Sequence, residues 1–322
     1  MTQTPRWQLA SCALGLPSSD ENGVPATHAG TEFWRRHLDD VAAEGFSALE
    51  ISDAWIRVAD LDRMQRSELA AVAVDAGISI PAVHIQRASV IDPKDSVRNL
   101  AYHHASIDAA AELGASVYST GLHYPFNEAQ LAALWFWTAQ GPKDPSDAAT
   151  RDLAVLRIRE LGQHAADRGL LLSLELYEDT YLGTGEGAVR FVQDVGLDNV
   201  GLNPDVGNLI RLHRPIESWL DLFEQTLPYA NYWHVKNYLR DESADGSRIF
   251  AAPSTLRDGV INYRKVLDIA DRVGYRGIIT CEHYGGDSLS VCAENRRYLT
   301  HLISRIDDRS ADRLTPERTA SA

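Results

Sequence analysis

The chain has 322 residues, 44% of them hydrophobic, with 45 acidic against 31 basic side chains and a formal charge of −14. That length suits one large domain with a sizeable core, and the acidic balance excludes a broad basic footprint for nucleic acid. No apolar run approaches the ~20 residues of a membrane span, and three cysteines without a C-x-x-C give neither a disulfide framework nor a zinc ribbon, as expected of a cytoplasmic protein.

From the N-terminus, short apolar or β-branched runs alternate with longer amphipathic ones. The stretch WQLASCAL (7–14) reads as a first strand rather than the apolar stretch of a signal peptide, because Trp7, Gln8 and Ser11 interrupt it. A helix is predicted over 31–44, then strand SALEIS (47–52), helix 61–76, strand ISIPAVHI (78–85), helix 95–113 and strand ASVYSTGLH (115–123). A long loop with LWFWT (124–149) precedes helix 150–168, strand LLLSLEL (170–176), helix 186–195, strand NVGLN (199–203) and helix 215–226. Strand NYWHVKN (231–237) leads into a second long loop (237–260), helix 261–273, strand RGIITCEH (276–283) and helix 289–306. Gly45, Gly77, Gly114, Gly169 and Gly274 each stand where a helix should stop.

Eight strand-helix units predict an α/β fold, a single (β/α)₈ TIM barrel over 1–306 with long loops after strands four and seven. Residues 307–322 read as a polar C-terminal extension. An open doubly wound sheet would require G-x-G-x-x-G after the first strand, and GLPSSDENG lacks it. The LWFWT run is either an aromatic platform over the site or a helix packing its apolar face on the barrel.

Barrels carry function where strands end. Strand two ends in Glu50, strand three in His84 and strand four in His123, followed by Tyr124. Alternation puts Ser173 with Glu175, Tyr232 with His234 and Lys236, and Thr280 with Glu282 on inward faces, and Asp205 follows strand six. Three carboxylates buried together are costly without a cation. With one imidazole, Glu175, Asp205, His234 and Glu282 form an oxygen-rich site suited to Mn²⁺ or Mg²⁺, with Co²⁺ and Zn²⁺ also compatible.

The stretches LSLELYED, GLNPD, YWHVKN and ITCEH resemble strands five to eight of the xylose isomerase-like TIM barrels, the sugar isomerase/epimerase superfamily. The resemblance implies one divalent cation on Glu175, Asp205, His234 and Glu282. It also implies that the two glutamates exchange protons at a carbon next to a carbonyl. His123 is expected as an auxiliary acid or base; His84, Tyr124, Asn208, Lys236 and Arg240 are expected substrate contacts. Asn208 departs from the D-x-x-H of tagatose-3-epimerase-like members. His234 also lacks the following D-x-H of the endonuclease IV branch, which argues against a multi-zinc nuclease.

Within the superfamily, LELYEDTYLGT, GLNPDVGNLIRLHRPIE, WHVKNYLRD and CEHYGGDSLSV look most like the barrel subunit of C-glycoside deglycosidases. That resemblance implies a 3-oxo C-glycoside substrate, β-elimination of the aglycone and a smaller β subunit as partner. A keto-sugar isomerase or epimerase, an inosose-type dehydratase and a non-catalytic barrel subunit are the alternatives.

Overall fold

The computed structural model describes residues 6–314. Eight parallel strands form the barrel: β1 (Gln8–Cys12), β2 (Leu49–Ser52), β3 (Ala82–Ile85), β4 (Val117–Thr120), β5 (Leu171–Glu175), β6 (Val200–Asn203), β7 (Trp233–Val235) and, last in the chain, β10 (Ile278–Cys281). Between β7 and β10 lies an antiparallel pair, β8 (Asn237–Glu242) and β9 (Ile249–Ser254). The helices are α1 (Thr31–Ala43), α2 (Arg63–Asp75), α3 (Ser96–Glu112), α4 (Glu128–Ala132), α5 (Ala148–Asp167), α6 (Gly185–Val195), α7 (Gly207–Ile210), α8 (Trp219–Thr226), α9 (Tyr263–Arg272) and α10 (Ser288–Leu314).

Every predicted strand is present, and each ladder is shorter than the run that announced it. Residues such as His123, Asp205, Lys236 and Glu282 lie just beyond their ladders, where strands splay toward the mouth. The wall runs β6-β5-β4-β3-β2-β1-β10-β7. It closes between β6 and β7 by one parallel bridge, Leu202 to Ala230, and by His234 N–H donating to Asn203 Oδ1 at 2.7 Å. Outward side chains such as Trp233 pack on Phe223 and Tyr263 of the helical ring. The inner floor is small and apolar, with Ala10, Ala48, Ala82, Val117 and Ile278 around Tyr232. That floor leaves the polar side chains only the opposite, C-terminal end.

Two departures have local causes. The loop expected over 237–260 contains the β8–β9 hairpin, turned at Asp245-Gly246 with Gly246 at φ 68°. Asp-Gly at such a turn is a hairpin signal. The polar extension expected from 307 is helical through Leu314, since α10 continues without a break, and 315–322 lie outside the described residues. Cys12, Cys281 and Cys292 are free and buried. Among the described residues, no helix is long and apolar enough to cross a membrane.

Candidate active site and metal centre

At the C-terminal end, β5, β7, β10 and the turn after β6 bring Glu175, His234, Glu282 and Asp205 together, each at most 3% exposed. One ligand atom from each lies within 4.8 Å of the others. His234 Nδ1 is the hub, at 3.1 Å from Glu282 Oε2, 3.3 Å from Glu175 Oε1 and 3.7 Å from Asp205 Oδ2. One ring nitrogen cannot serve three carboxylates as a hydrogen-bond donor. Its partner nitrogen settles the tautomer: Nε2 sits 2.7 Å from Glu50 Oε2, an acceptor that also takes the Tyr232 hydroxyl proton at 2.6 Å. With Nε2–H donated to Glu50, Nδ1 is the atom turned toward the carboxylates. Burial would lower His234, but the Glu50 charge and the three facing carboxylates hold its pKa well above the ordinary histidine value. A cation would take the place of the Nδ1 proton, as in carboxylate–histidine–metal sites. Asp205 Oδ2 and Glu282 Oε2 are buried and accept no well-aligned hydrogen bond. The donor set therefore fits a divalent cation.

The surrounding charges are arranged to keep these carboxyls ionised. Burial would raise Glu175, but His84 and hydrogen bonds from His123 and His234 hold it well below its ordinary value. Burial acts against Lys236 and His234 at Glu282 in the same way, and there too the cations win. Lys236 Nζ reaches Asp205 Oδ2 at 2.7 Å and Glu282 Oε1 at 2.9 Å. Even so, burial pushes Asp205 up to about 6. Lys236 fits only because residue 207 is glycine: a Cβ there would meet Lys236 Cγ at 2.2 Å. Burial drives His123 down to about 4, so it is neutral at pH 7, with Nε2 3.1 Å from Glu175 Oε2.

Above this well the mouth is plugged by rings. Phe136 and Trp137 come from the LWFWT segment, which forms a single 3₁₀ turn, Phe136–Thr138. Both pack on Tyr284, with ring centroids 5.8 and 5.5 Å away. The aromatic platform is the reading the structure supports, and no helix face on the barrel forms there. Arg211, fully buried, lies 4.7 Å over Phe136 and 5.1 Å over Trp137, and pairs with both Glu178 oxygens at 3.0 and 2.9 Å. Arg87, at a left-handed φ of 54°, stacks 3.8 Å over Phe126. A cavity of about 270 Å³ lies among Arg87, Tyr124, Trp137, Tyr177, Glu178 and His213. Tyr177 stands between it and the well, its ring tilted at 56° to that of His123 with centroids 4.4 Å apart.

The segment behind the plug is clipped to the β5 loop. Asp144 N–H donates to Asp179 O at 2.9 Å, and Tyr181 N–H donates to Asp144 Oδ2 at 2.6 Å. Burial pushes Asp144 up to about 7 although the Tyr181 N–H pulls it down. Because the folded value exceeds the unfolded one, this group's stabilisation is full below the ordinary carboxylate range and is lost as pH rises through about 7. Hydrogen exchange across 139–147 is therefore expected to speed up between pH 4 and 8 beyond its intrinsic rise. Asp144→Asn should flatten that excess; an unchanged profile in the variant would refute the assignment.

Of the sequence-predicted contacts, His84 joins the well, with Nε2 3.3 Å from Glu175 Oε2 and Nδ1 3.0 Å from Ser119 Oγ. Asn208 donates to Glu175 Oε1 at 3.1 Å and to Leu176 O at 3.0 Å, so it braces the glutamate. Tyr124 lines the cavity rather than the well. Arg240, expected as a substrate contact, has its guanidinium on the carbonyls of Ile210, Leu212 and Arg214 and on Glu242. The hairpin strand that carries it points it at the end of α7. In the sequence Glu50 is legible only as a strand end, and no role follows for Tyr232, Asn203, Arg211 or Glu178. Inward alternation with His234 was the available signal for Tyr232; nothing local announces Arg211.

Comparison with known proteins agrees with this geometry. A solved xylose isomerase-like TIM barrel protein from Mycobacterium smegmatis, in complex with magnesium, is 41% identical. It covers 93% of this chain and 97% of its own, with a TM-score of 0.88. D-psicose 3-epimerase of Enterocloster bolteae is 24% identical over 253 residues, 71% of this chain and 79% of its own length. Inosose dehydratase of Yersinia enterocolitica is 31% identical over 136 residues, 38% of this chain, which spans only 44% of that relative's length. The family model described as Xylose isomerase-like TIM barrel matches residues 38–302. By that match, which takes in seven of the eight barrel strands and all four converging side chains, the chain belongs to the xylose isomerase-like TIM barrel family.

Proposed function

We propose that the protein is a divalent-metal-dependent enzyme that removes a proton next to a sugar ketone. Specifically, it acts as a lyase that cleaves the C-glycosidic bond of 3-oxo C-glycosides by β-elimination. The observation that carries the metal-dependent part is the convergence of Glu175 Oε1, Asp205 Oδ2 and Glu282 Oε2 on Nδ1 of His234. The M. smegmatis protein's complex with magnesium supports a hard divalent ion. The oxygen-rich set favours Mn²⁺, with Mg²⁺, Co²⁺ and Zn²⁺ as alternatives. When bound, the cation would polarise the ketone oxygen and stabilise negative charge there.

This chain's residues supply the rest. Glu282 would hold the ion through Oε2, which accepts no well-aligned hydrogen bond, and take the proton at C2 on Oε1, the oxygen beside Lys236 Nζ at 2.9 Å. Loss of that proton leaves an enediolate whose oxygen Lys236 can meet with a positive charge. The enediolate electrons then break the bond from C1 to the aglycone, and the departing carbon takes a proton from an acid. That acid is Glu282, which carries the proton taken from C2; His123, neutral and 3.1 Å from Glu175 Oε2, holds the second glutamate in place. Removal of a proton next to a carbonyl is common to isomerisation, epimerisation and dehydration, so the D-psicose 3-epimerase and inosose dehydratase likenesses are compatible with this site. The finer assignment rests on the aromatic mouth. A cavity of about 270 Å³ walled by Tyr124, Trp137 and Tyr177 suits a flat aglycone once the Tyr177 ring turns aside to join it to the well.

The test incubates the protein, with Mn²⁺ and a candidate small β subunit, with a 3-oxo C-glucoside prepared by a separate oxidoreductase. Release of the free aglycone is expected. If the glycoside stays intact while keto-sugars or inososes alone exchange a C–H proton with solvent, the lyase assignment fails and the isomerase or dehydratase reading replaces it.

A further inference from the structure

On the outer wall, away from the barrel mouth, α3 and α5 bring two histidines face to face. His104 Nδ1 and His164 Nδ1 are 2.7 Å apart, with ring centroids 4.9 Å apart, close to an end-on meeting of the two nitrogens. Each ring's other nitrogen is held by a carboxylate: His104 Nε2 by Glu160 Oε1 at 2.9 Å, and His164 Nε2 by Asp108 Oδ1 at 2.9 Å. The four residues are two i,i+4 pairs on adjacent helices, His104 with Asp108 on α3 and Glu160 with His164 on α5. Arg168 also contacts Asp108 Oδ1, at 2.7 Å. Two carboxylates against one guanidinium leave a net negative charge around the rings.

Ionised carboxylates only accept, so both Nε2 atoms must carry hydrogen. The facing Nδ1 atoms then have one proton to share between them. We propose that His104 and His164 form a transition-metal site in which Zn²⁺, or Cu²⁺ or Ni²⁺, replaces that shared proton. Both Nδ1 lone pairs then bind the ion, the proton goes to solvent, and water fills the remaining positions. Imidazole nitrogen suits these ions. A carboxylate on the far nitrogen of each ring is the outer-shell arrangement that fixes the tautomer and raises ligand basicity. A tetrahedral ion with N–metal bonds of about 2.0–2.1 Å separates its two nitrogens by roughly 3.3 Å. The nitrogens must part by about 0.6 Å, and the rings must tilt so that lone pairs now facing end-on converge on one ion. The site is independent of the proposed activity, since it shares no residue with the barrel well and its two side chains are 31% and 21% exposed.

The test titrates tag-free full-length protein with Zn²⁺ by calorimetry, with bound metal counted after gel filtration. Wild type is expected to take two ions per chain, and His104→Gln/His164→Gln one. A chain with Glu175→Gln and Asp205→Asn, which disable the barrel well, should keep one ion and lose it when His104→Gln is added. Asp108→Asn or Glu160→Gln should weaken the outer site about 10–100-fold. Cu²⁺ spectra should show two coordinating nitrogens that vanish in the histidine variants. Equal Zn²⁺ stoichiometry in wild type and the double histidine variant, with an unaltered Cu²⁺ spectrum, would overturn the proposal. Loss of binding only in the Glu175/Asp205 variant would overturn it equally, since the ion would then belong to the well.

Discussion

Glu282→Gln is expected to slow α-proton exchange on a 3-oxo sugar by about 10²–10⁴-fold, the usual weight of a positioned general base. The substitution keeps shape and volume in a side chain that is 2% exposed, so the fold should survive it. It removes the charge that Lys236 faces at 2.9 Å and the oxygen nearest His234 Nδ1. It also weakens a metal ligand, so exchange is to be measured at saturating Mn²⁺, where ion occupancy no longer limits the rate. Glu175→Gln should be as damaging to exchange and worse for stability. Glu175 faces Asn208, His84, His123 and His234 together, and an amide nitrogen would confront one of those groups with no acceptor. Exchange by Glu282→Gln within a few-fold of wild type, at saturating metal, would remove Glu282 from the chemistry.

Chelation should abolish exchange altogether, and one Mn²⁺ per chain at the well should restore it, because one four-residue constellation of this kind lies at the barrel mouth. Asp205→Asn is expected to lower well occupancy to near zero. Asp205 is fully buried, and a neutral amide in its place removes one of the three carboxylate charges that would hold the ion. Glu50→Gln tests the tautomer argument. Glu50 does not join the four-residue constellation, yet it fixes His234 Nε2 at 2.7 Å; its loss should weaken binding about 10–100-fold. Metal analysis of the purified variants checks each statement. A wild type that holds no ion and is not rescued by added Mn²⁺ would sink the metal reading.

The barrel was legible because its strands are buried on both faces and its helices stop at glycine, both of which are local signals. Alternation within NYWHVKN placed Tyr232, His234 and Lys236 on one side of a strand, and all three are indeed buried inside. Asp205 and Glu282 were legible for the same reason, since position at a strand end is a sequence property. Glu50 was visible as a strand end, but its bond to His234 joins residues 184 positions apart and depends on how the barrel closes. Arg240 was placed by its spacing from His234 in a segment expected to be a loop, and that segment is a hairpin. Asp245-Gly246 had signalled that turn. Arg211 was invisible: a buried arginine is selected by what surrounds it, and Phe136, Trp137 and Tyr177 arrive from two separate loops.

The seam between β6 and β7 gives the cation a second consequence. Asp205 stands on one side of that seam and His234 on the other, where the wall is joined by the Leu202–Ala230 bridge and the Asn203 side chain. An ion gripped by both would act as a clasp on the hoop, and its binding free energy would resist unrolling of the sheet. Demetallated protein should then unfold from this joint first, and its melting temperature should climb with free metal concentration as ligand linkage requires.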